Sequence, residues 1–350
     1  MNKSNLTTPL PVPSFFNPAR KKEIYIIDRN PILAEALENR KRFGVKVTSQ
    51  RPKIAHAGID WQITFGPFPG ATLPVIGSDE DAVRVAKWSY QWGHVVNQSH
   101  FTLDTHYTWQ LFHPLFLVDA NGNPPAIGVP IADADIKAGK YKVRLEAANA
   151  WFENGASYPW LMSYLRHYSA QLANSPRQFP LIPWPFHAQL GNVEHALFPL
   201  IAESLFYWEV MGSHNYTPWI KGDGVSEAYS PLGPEVKEAH DRSTVGQLNA
   251  DFLKLLLDSD AVIITGQAKS HCVRAFIGDV LSDIQKQNPK LAEKIYLVED
   301  GTSPVVIPGV IDFTNDANKA FDEFRNAGMK VVKTTTPLPD WPGMDRVLNV

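Results

Sequence analysis

The stretch Ala261-Val-Ile-Ile-Thr-Gly-Gln-Ala-Lys-Ser-His-Cys-Val-Arg-Ala275 decides the fold. Its first five residues are short, β-branched and apolar, the pattern of a strand buried on both faces of a parallel sheet. Gly266 ends that run. From Cys272 onward apolar residues recur at helical spacing, at Val273, Phe276, Ile277, Val280, Leu281 and Ile284. Cys272 therefore stands at a strand-to-helix turn, at the N-terminus of a helix. Unpaired N–H groups and the helix dipole favour a thiolate there, which makes Cys272 a candidate nucleophile. A buried bystander is the alternative, because free cysteine is among the most buried residue types.

Outward from that turn, 350 residues at 44% hydrophobic and 20% charged suffice for one large α/β domain with decorations, or for two domains. A formal net charge of −3 gives no electrostatic case for a nucleic-acid partner. The single cysteine excludes an internal disulfide framework and fits a reducing compartment. The first 22 residues contain no apolar signal-like run, and no stretch approaches membrane-spanning length. A cytoplasmic location with no membrane partner is expected.

Along the chain, residues 1–20 carry Pro9, Pro11, Pro13 and Pro18 and read as an irregular arm. Ile24-Tyr-Ile-Ile27 reads as a strand and Ala34–Phe43 as a short charged helix; Asp28, after that strand, is a catalytic candidate for which a turn or cap residue is the plainer reading. Ile54–Asp60 is a second strand, ending in a carboxylate before the Pro/Gly-rich segment Gly66–Gly70. Ligands collect at the carboxyl ends of strands in an open α/β sheet, so Asp60 would face a site; a cap is the plainer reading of an aspartate standing alone. Asp79–Trp92 is helical.

The strand-like segment His94–His106 ends in Asp104-Thr-His106. Two residues apart on an extended chain, both side chains point the same way. Carboxylate with imidazole suits Zn²⁺, Mn²⁺ or Fe²⁺, though Asp-x-His is common by chance. His94, His100 and His113 are read as ordinary surface or hydrogen-bonded histidines. Residues 115–180 are aromatic-rich and poorly periodic, with turn signals at Asn121–Pro125 and Asn154-Gly155 and a helix across Tyr158–Leu172. They read as an elaboration covering the site. His187, in Trp184-Pro-Phe-His187, is a candidate third ligand. Helices are expected near Glu194–Phe206, over Thr244–Ser259 and over Ala317–Ala327. Short strands are expected at Trp219–Gly222, at Ile295–Gly301 and at Met329–Thr335. The alternation predicts a doubly wound, mostly parallel sheet flanked by helices.

Six of these pieces, in order and spacing, resemble the isochorismatase-like cysteine hydrolases, and within them the nicotinamidase/pyrazinamidase group. The pieces are Ile59-Asp60-x-Gln62-x-x-Phe65, Asp104-x-His106, Trp184-Pro-x-His187, Ile220-Lys221-Gly222 with Tyr229-Ser230, Gly266-x-Ala268-x-x-x-Cys272-Val273, and Val298-Glu-Asp300. They span roughly 55–114 and 181–337, within a hydrolase domain of residues 54–350. Residues 1–53 are left as an N-terminal extension and about 115–180 as an insertion.

The resemblance implies a triad of Asp60, Lys221 and Cys272. It also implies a cis peptide at Gln267–Ala268 that aims the N–H groups of Ala268 and Cys272 at an oxyanion. Phe65 and Trp184 match aromatic substrate walls. Asp104, His106 and His187 match the ligands of one divalent metal ion, zinc foremost with manganese or iron as alternatives. The reaction implied is hydrolysis of a small-molecule amide, nicotinamide to nicotinate and ammonia, through a Cys272 thioester. A homo-oligomer is expected.

Departures from the family pattern bear on the substrate. Thr105 replaces a tryptophan, and Lys269, Ser270 and His271 replace a threonine, an acidic residue and an aromatic. Lys269 adds positive charge near Cys272. His271-Cys-Val-Arg-Ala resembles the carbamoyl-hydrolysing branch. A related C–N hydrolase acting on a carbamoyl or other small amide is therefore the alternative. A non-catalytic binding module on the same fold is a third reading. A dinucleotide-dependent dehydrogenase is disfavoured because no G-x-G-x-x-G follows a strand.

Overall fold

Six parallel strands form the central sheet: β1 (Ile54–Ile59), β2 (Gln98–Asp104), β3 (Thr217–Lys221), β4 (Ala261–Gly266), β5 (Ile295–Val298) and β6 (Lys330–Val332), in the order β6-β5-β4-β1-β2-β3. The computed structural model describes residues 6–45, 52–151, 157–175 and 179–348. Every residue of β1 and β4 is buried, as continuous apolar runs at the centre of a parallel sheet require.

Alternate residues serve opposite faces. Ala55, Ala57, Ile59, Val262 and Ile264 pack against helices α5 (Ala250–Leu257), α6 (Cys272–Gln287) and α7 (Thr314–Asn326). Ile54, Ala261, Ile263 and Phe101 face the other way. There lie α2 (Ser78–Trp92), α4 (Pro199–Gly212) and, packed on α4, α1 (Arg29–Phe43). Helices on both faces make the sheet doubly wound, as the alternation predicts. A separate apolar cluster joins Leu111–Leu117, α3 (Tyr158–Asn174) and Leu181–Trp184 beside the sheet's carboxyl end. Among the described residues no helix is long and apolar enough to cross a membrane.

Register places the carboxyl ends of the strands side by side. Ile59 pairs with Gly266 and Asp104 with Lys221, so Asp60, Gln267, Asp104 and Lys221 emerge on one edge. Gly266 is required there. It has φ +128, and a Cβ would come within 2.1 Å of the Ile59 carbonyl oxygen.

Several expected elements differ. Residues Ile24–Ile27 are not a strand, because β3 and β6 are the sheet's edges and neither pairs with this segment. Ile26 is 96% exposed, and Tyr25 instead stacks under the Arg20 guanidinium. Asp28 is the N-cap of α1, accepting from the Asn30 N–H at 3.1 Å, so this helix starts at Arg29 rather than Ala34. The helix expected near Glu194–Phe206 is α4, which begins only at Pro199, a residue suited to the first helical position. Thr244–Ser259 is helical only over α5. The Val245 N–H bonds the Lys237 carbonyl, and Asn249 caps the helix by accepting from Phe252 N–H. The turn at Asn121–Pro125 is built on Asp119, whose Oδ1 accepts from Asn121 and Asn123 N–H at 2.8 Å. The expected Asn154-Gly155 turn lies outside the described residues. His94, His100 and His113 are all buried, the hydrogen-bonded alternative of the expectation: Trp219 Nε1–H donates to His100 Nδ1 at 3.2 Å and His113 Nδ1 lies 3.4 Å from the Thr108 carbonyl. Burial first pushes the rings of His100 and His113 down to about 4 and about 3.

Candidate active site

Cys272 opens α6 directly beyond the turn that follows β4, with its thiol buried. Lys221, from the end of β3, reaches it with Nζ 3.6 Å from Sγ. That ammonium also donates to Asp104 Oδ1 at 2.6 Å and to the Ala228 carbonyl at 3.1 Å, and pairs with Asp60 Oδ2 at 3.1 Å. Asp60 sits one residue past β1 at φ +46, a left-handed conformation in which few residues other than Gly, Asn and Asp are found. Its Oδ1 accepts from Thr102 Oγ1 at 2.5 Å, and its N–H donates back to the same oxygen at 2.9 Å. The three residues implied as a triad thus come together from three strand ends.

Charge and burial set their proton affinities. Burial pushes the Asp60 carboxyl up; Lys221 opposes the shift and Asp104 adds to it. Burial works to lower Lys221, but Asp104 and Asp60 outweigh it and hold the ammonium well above its ordinary value. The Cys272 thiol is driven well up, by burial first, with Lys221 opposing and Asp60 and Asp104 reinforcing. Burial and the two carboxylates thus oppose the pull of the helix terminus on the thiol, which favours a base beside it.

Asp104, His106 and His187 also meet. One ligand atom from each lies within 4.8 Å of the others, and all three residues are buried. Gln62 locks Asp104 from behind: its Oε1 accepts from Asp104 N–H at 2.7 Å and its Nε2 donates to Asp104 O at 2.8 Å. His106 Nδ1 is 3.0 Å from the Gly222 carbonyl, and His187 Nδ1 is 2.7 Å from the Pro185 carbonyl. Carbonyl oxygens only accept, so each Nδ1 carries a proton and each Nε2 is the atom turned to Asp104 Oδ2, at 2.9 and 3.6 Å. A cation, whether a proton on an imidazole or a metal ion, is needed between those nitrogens and the carboxylate. A cradle of two imidazoles and a carboxylate, with backbone carbonyls fixing the tautomers, fits a divalent metal. Gly222, at φ +79, allows the approach: a Cβ would sit 2.7 Å from His106 Cε1 and 2.8 Å from Asp104 Oδ1.

The remaining expected residues fall around this centre. The Phe65 ring lies 5.9 Å from His187. Trp184 donates Nε1–H to Tyr229 OH at 3.0 Å and stands edge-on to His271 at 5.3 Å. The Gln267–Ala268 peptide is cis. Among the turn hydrogen bonds of the described residues none uses the N–H of Ala268 or of Cys272, while the Ala268 carbonyl takes those of His271 and Val273. Lys269 does not point at Cys272. It bonds Asn318 at 2.8 Å and lies over the Phe321 ring on α7. Thr105 instead holds His195, Oγ1 to Nε2 at 2.8 Å.

Glu227 escapes a reading by motif. It is 4% exposed, and burial followed by the Asp104 charge pushes its carboxyl up to about 7. No spacing rule marks it. The one available signal is a charged residue between the apolar or small residues Val225, Ser226, Ala228 and Tyr229, shortly after Lys221-Gly222.

No family model matches the chain, and no curated protein matches it in sequence. In fold the chain is similar to solved nicotinamidases, pyrazinamidases and isochorismatase-like hydrolases. The Acinetobacter baumanii nicotinamidase/pyrazinamidase is 16% identical, with 82% of this chain and 99% of that chain covered and a TM-score of 0.47. The yeast nicotinamidase bound to the inhibitor nicotinaldehyde is 15% identical, with 80% and 99% covered and a TM-score of 0.45. The Pyrococcus horikoshii pyrazinamidase in complex with zinc is 18% identical, with 81% and 99% covered and a TM-score of 0.41.

Proposed function

We propose that the chain is a metal-assisted cysteine amidohydrolase of the nicotinamidase type, converting nicotinamide and water to nicotinate and ammonia. The observation that carries this reading is the shared ammonium of Lys221. It joins the Asp60–Cys272 pair to the Asp104–His106–His187 cradle in one buried centre.

Asp60 is the general base. Its raised proton affinity suits it to take the proton of a thiol that would otherwise stay neutral. Sγ of Cys272 attacks the amide carbonyl, and the N–H groups of Ala268 and Cys272 receive the oxyanion. Asp60 returns the proton to the departing nitrogen, the C–N bond breaks, and ammonia leaves a thioester on Cys272. Water, deprotonated by Asp60, attacks that thioester; the acid departs and the thiol recovers its proton. Lys221 stabilises the thiolate formed on the way and holds Asp60 in place. A divalent ion on Asp104, His106 and His187, zinc foremost with manganese or iron as alternatives, would supply a Lewis acid for a pyridine ring nitrogen. Phe65 and Trp184 would wall a flat ring.

A second reading, hydrolysis of a carbamoyl or other small amide, is favoured by His271 beside the nucleophile, buried among Trp184, Tyr229, Phe179 and Phe313. A cytoplasmic homo-oligomer without a nucleic-acid or membrane partner completes the proposal. The decisive experiment is ammonia release from a panel of small amides with and without a strong chelator, alongside elemental analysis. Nicotinamide turnover, suppression by chelator and one divalent ion per chain are expected, with the ion lost in Asp104→Ala and His187→Ala. Release from carbamoyl substrates alone would select the second reading, and release from none would overturn both.

A further inference from the structure

A cleft of about 580 Å³ opens beside the candidate active site without being part of it. Ile24–Ile27, the segment that no sheet edge receives, forms one wall; Ile63, Leu103, Leu197 and Ala202 contribute to the rest. None of Asp60, Asp104, His106, His187, Lys221 and Cys272 lines it. The two sites nevertheless adjoin, since Leu103 directly precedes Asp104, and His195, also in the lining, is held to Thr105 at 2.8 Å. Apolar side chains are left uncovered here: Ile24 is 42% exposed and Ile26 is 96% exposed. A cleft of this volume is in the range that takes a small organic molecule.

The charge of the lining is one-sided. It contains Arg29 and no Asp or Glu; its other polar side chains, His195, Tyr25 and Tyr216, are not anionic at neutral pH. Arg29 is the first residue of α1. Among the described residues no carboxylate pairs with its guanidinium. Asp28, next to it, accepts from the Asn30 N–H as the helix cap, and the guanidinium instead lies over the Phe206 ring at 5.6 Å. A guanidinium only donates, in a planar fork that matches a carboxylate. The complement of this cleft is therefore an apolar body that carries a single carboxylate.

We propose that the cleft is a second ligand site, for a small apolar or aromatic monocarboxylate. Its body covers Ile24, Ile26, Ile63 and Leu103, and its carboxylate lies on Arg29. Burying the apolar body supplies the bulk of the affinity, and the guanidinium selects the charged head over a neutral one. The site lies outside the reaction centre, so it goes beyond the amidohydrolase reading and stands or falls without it.

The test is calorimetry on the full chain with two probes, phenylbutyrate and its neutral counterpart phenylbutanol. Wild type should bind the carboxylate about tenfold more tightly than the alcohol. Arg29→Gln should lose that preference while binding the alcohol as wild type does. Ala202→Trp should fill the cleft and abolish binding of both probes; if thermal melts show that it does not fold, the Arg29→Gln comparison decides. Cys272→Ala, altered only in the reaction centre, should bind both probes as wild type does. A carboxylate preference that survives in Arg29→Gln, or binding that survives in a folded Ala202→Trp, places the ligand elsewhere and overturns the proposal. Equal affinity for acid and alcohol in wild type overturns the carboxylate class. Absence of binding overturns the ligand site altogether, and a dimer in sedimentation velocity that Ile26→Asp disperses would then give the cleft to a second copy of the chain.

Discussion

Lys221 Nζ lies 2.6 Å from Asp104 Oδ1, closer than the 3.1 Å at which it approaches Asp60 Oδ2. The ammonium is thus as much a partner of the carboxylate proposed to hold metal as of the proposed general base. Two cations, one covalent and one bound, would draw on Asp104 together. Lys221→Met should therefore lower turnover at least about a hundredfold while tightening divalent-metal binding, since a competing positive charge is removed. The same change leaves two buried carboxylates without their cation and should cost about 3–5 kcal/mol of stability in metal-free protein. Chelator competition on the purified variant checks the sign, and weaker metal binding would refute the shared-cation account.

Cys272 is the single cysteine, buried and with its thiol held well above the usual range by burial and nearby carboxylates. Iodoacetamide should add once and abolish turnover, but slowly near neutral pH, with a rate that climbs above the range of an exposed thiol. Cys272→Ala should lose at least about a thousandfold in kcat. Mass spectrometry against a free-thiol standard reads the rate. Alkylation at pH 7 as fast as that of a low-pKa thiol would show that the folded site stabilises the thiolate after all.

How much of this site the sequence discloses depends on how local each signal is. β4 and β1 are legible, because a strand buried on both faces writes a continuous apolar run, and Asp60 and Cys272 stand just beyond those runs. Asp104 and His106 share one extended segment and are equally visible. Ile24–Ile27 looks the same locally, yet no sheet edge receives it, and that is decided by the other strands. The start of α4 at Pro199 and of α5 at Ala250 depends on caps and on loop bonds such as Val245 N–H to Lys237 O. Glu227 is hidden for the same reason: its meaning lies in Asp104, His187 and Cys272, all distant in the chain. The helix position of Cys272 is local and visible, whereas its burial beside two carboxylates is not.

Asp60 and Asp28 offer a controlled pair, since both follow strand-like sequence near the start of the chain. Asp28 caps α1 through the Asn30 N–H, a task asparagine performs equally well. Asp28→Asn should leave kcat and stability nearly unchanged. Asp60→Asn cannot accept the thiol proton and should lose acylation, seen as the absence of a burst in rapid-quench measurements, while the fold persists. A mild effect at Asp60 with a large one at Asp28 would move the base to the cap of α1 and overturn the assignment.

His56, in the middle of β1, makes the stability of the sheet depend on acid. It is buried between Trp88 and Phe101, with Nε2 2.9 Å from Thr265 Oγ1, an oxygen that also accepts from Trp61 Nε1 at 3.1 Å. Burial first, and then His100, pushes it down to about 4. The unfolded chain would bind a proton there near pH 6.5, as free histidine does. The neutral form is the folded form, so its full stabilisation is present above that pH and is lost as pH falls below it. From about pH 7 to about pH 5 the loss from His56 alone should be about 2 kcal/mol, with His100 acting in the same direction. Urea denaturation of metal-free protein at the two pH values measures it. His56→Gln should remove that part of the pH dependence, whatever it does to stability at neutral pH; an identical pH dependence in variant and wild type would mean that His56 is protonated, or solvated, in the folded sheet.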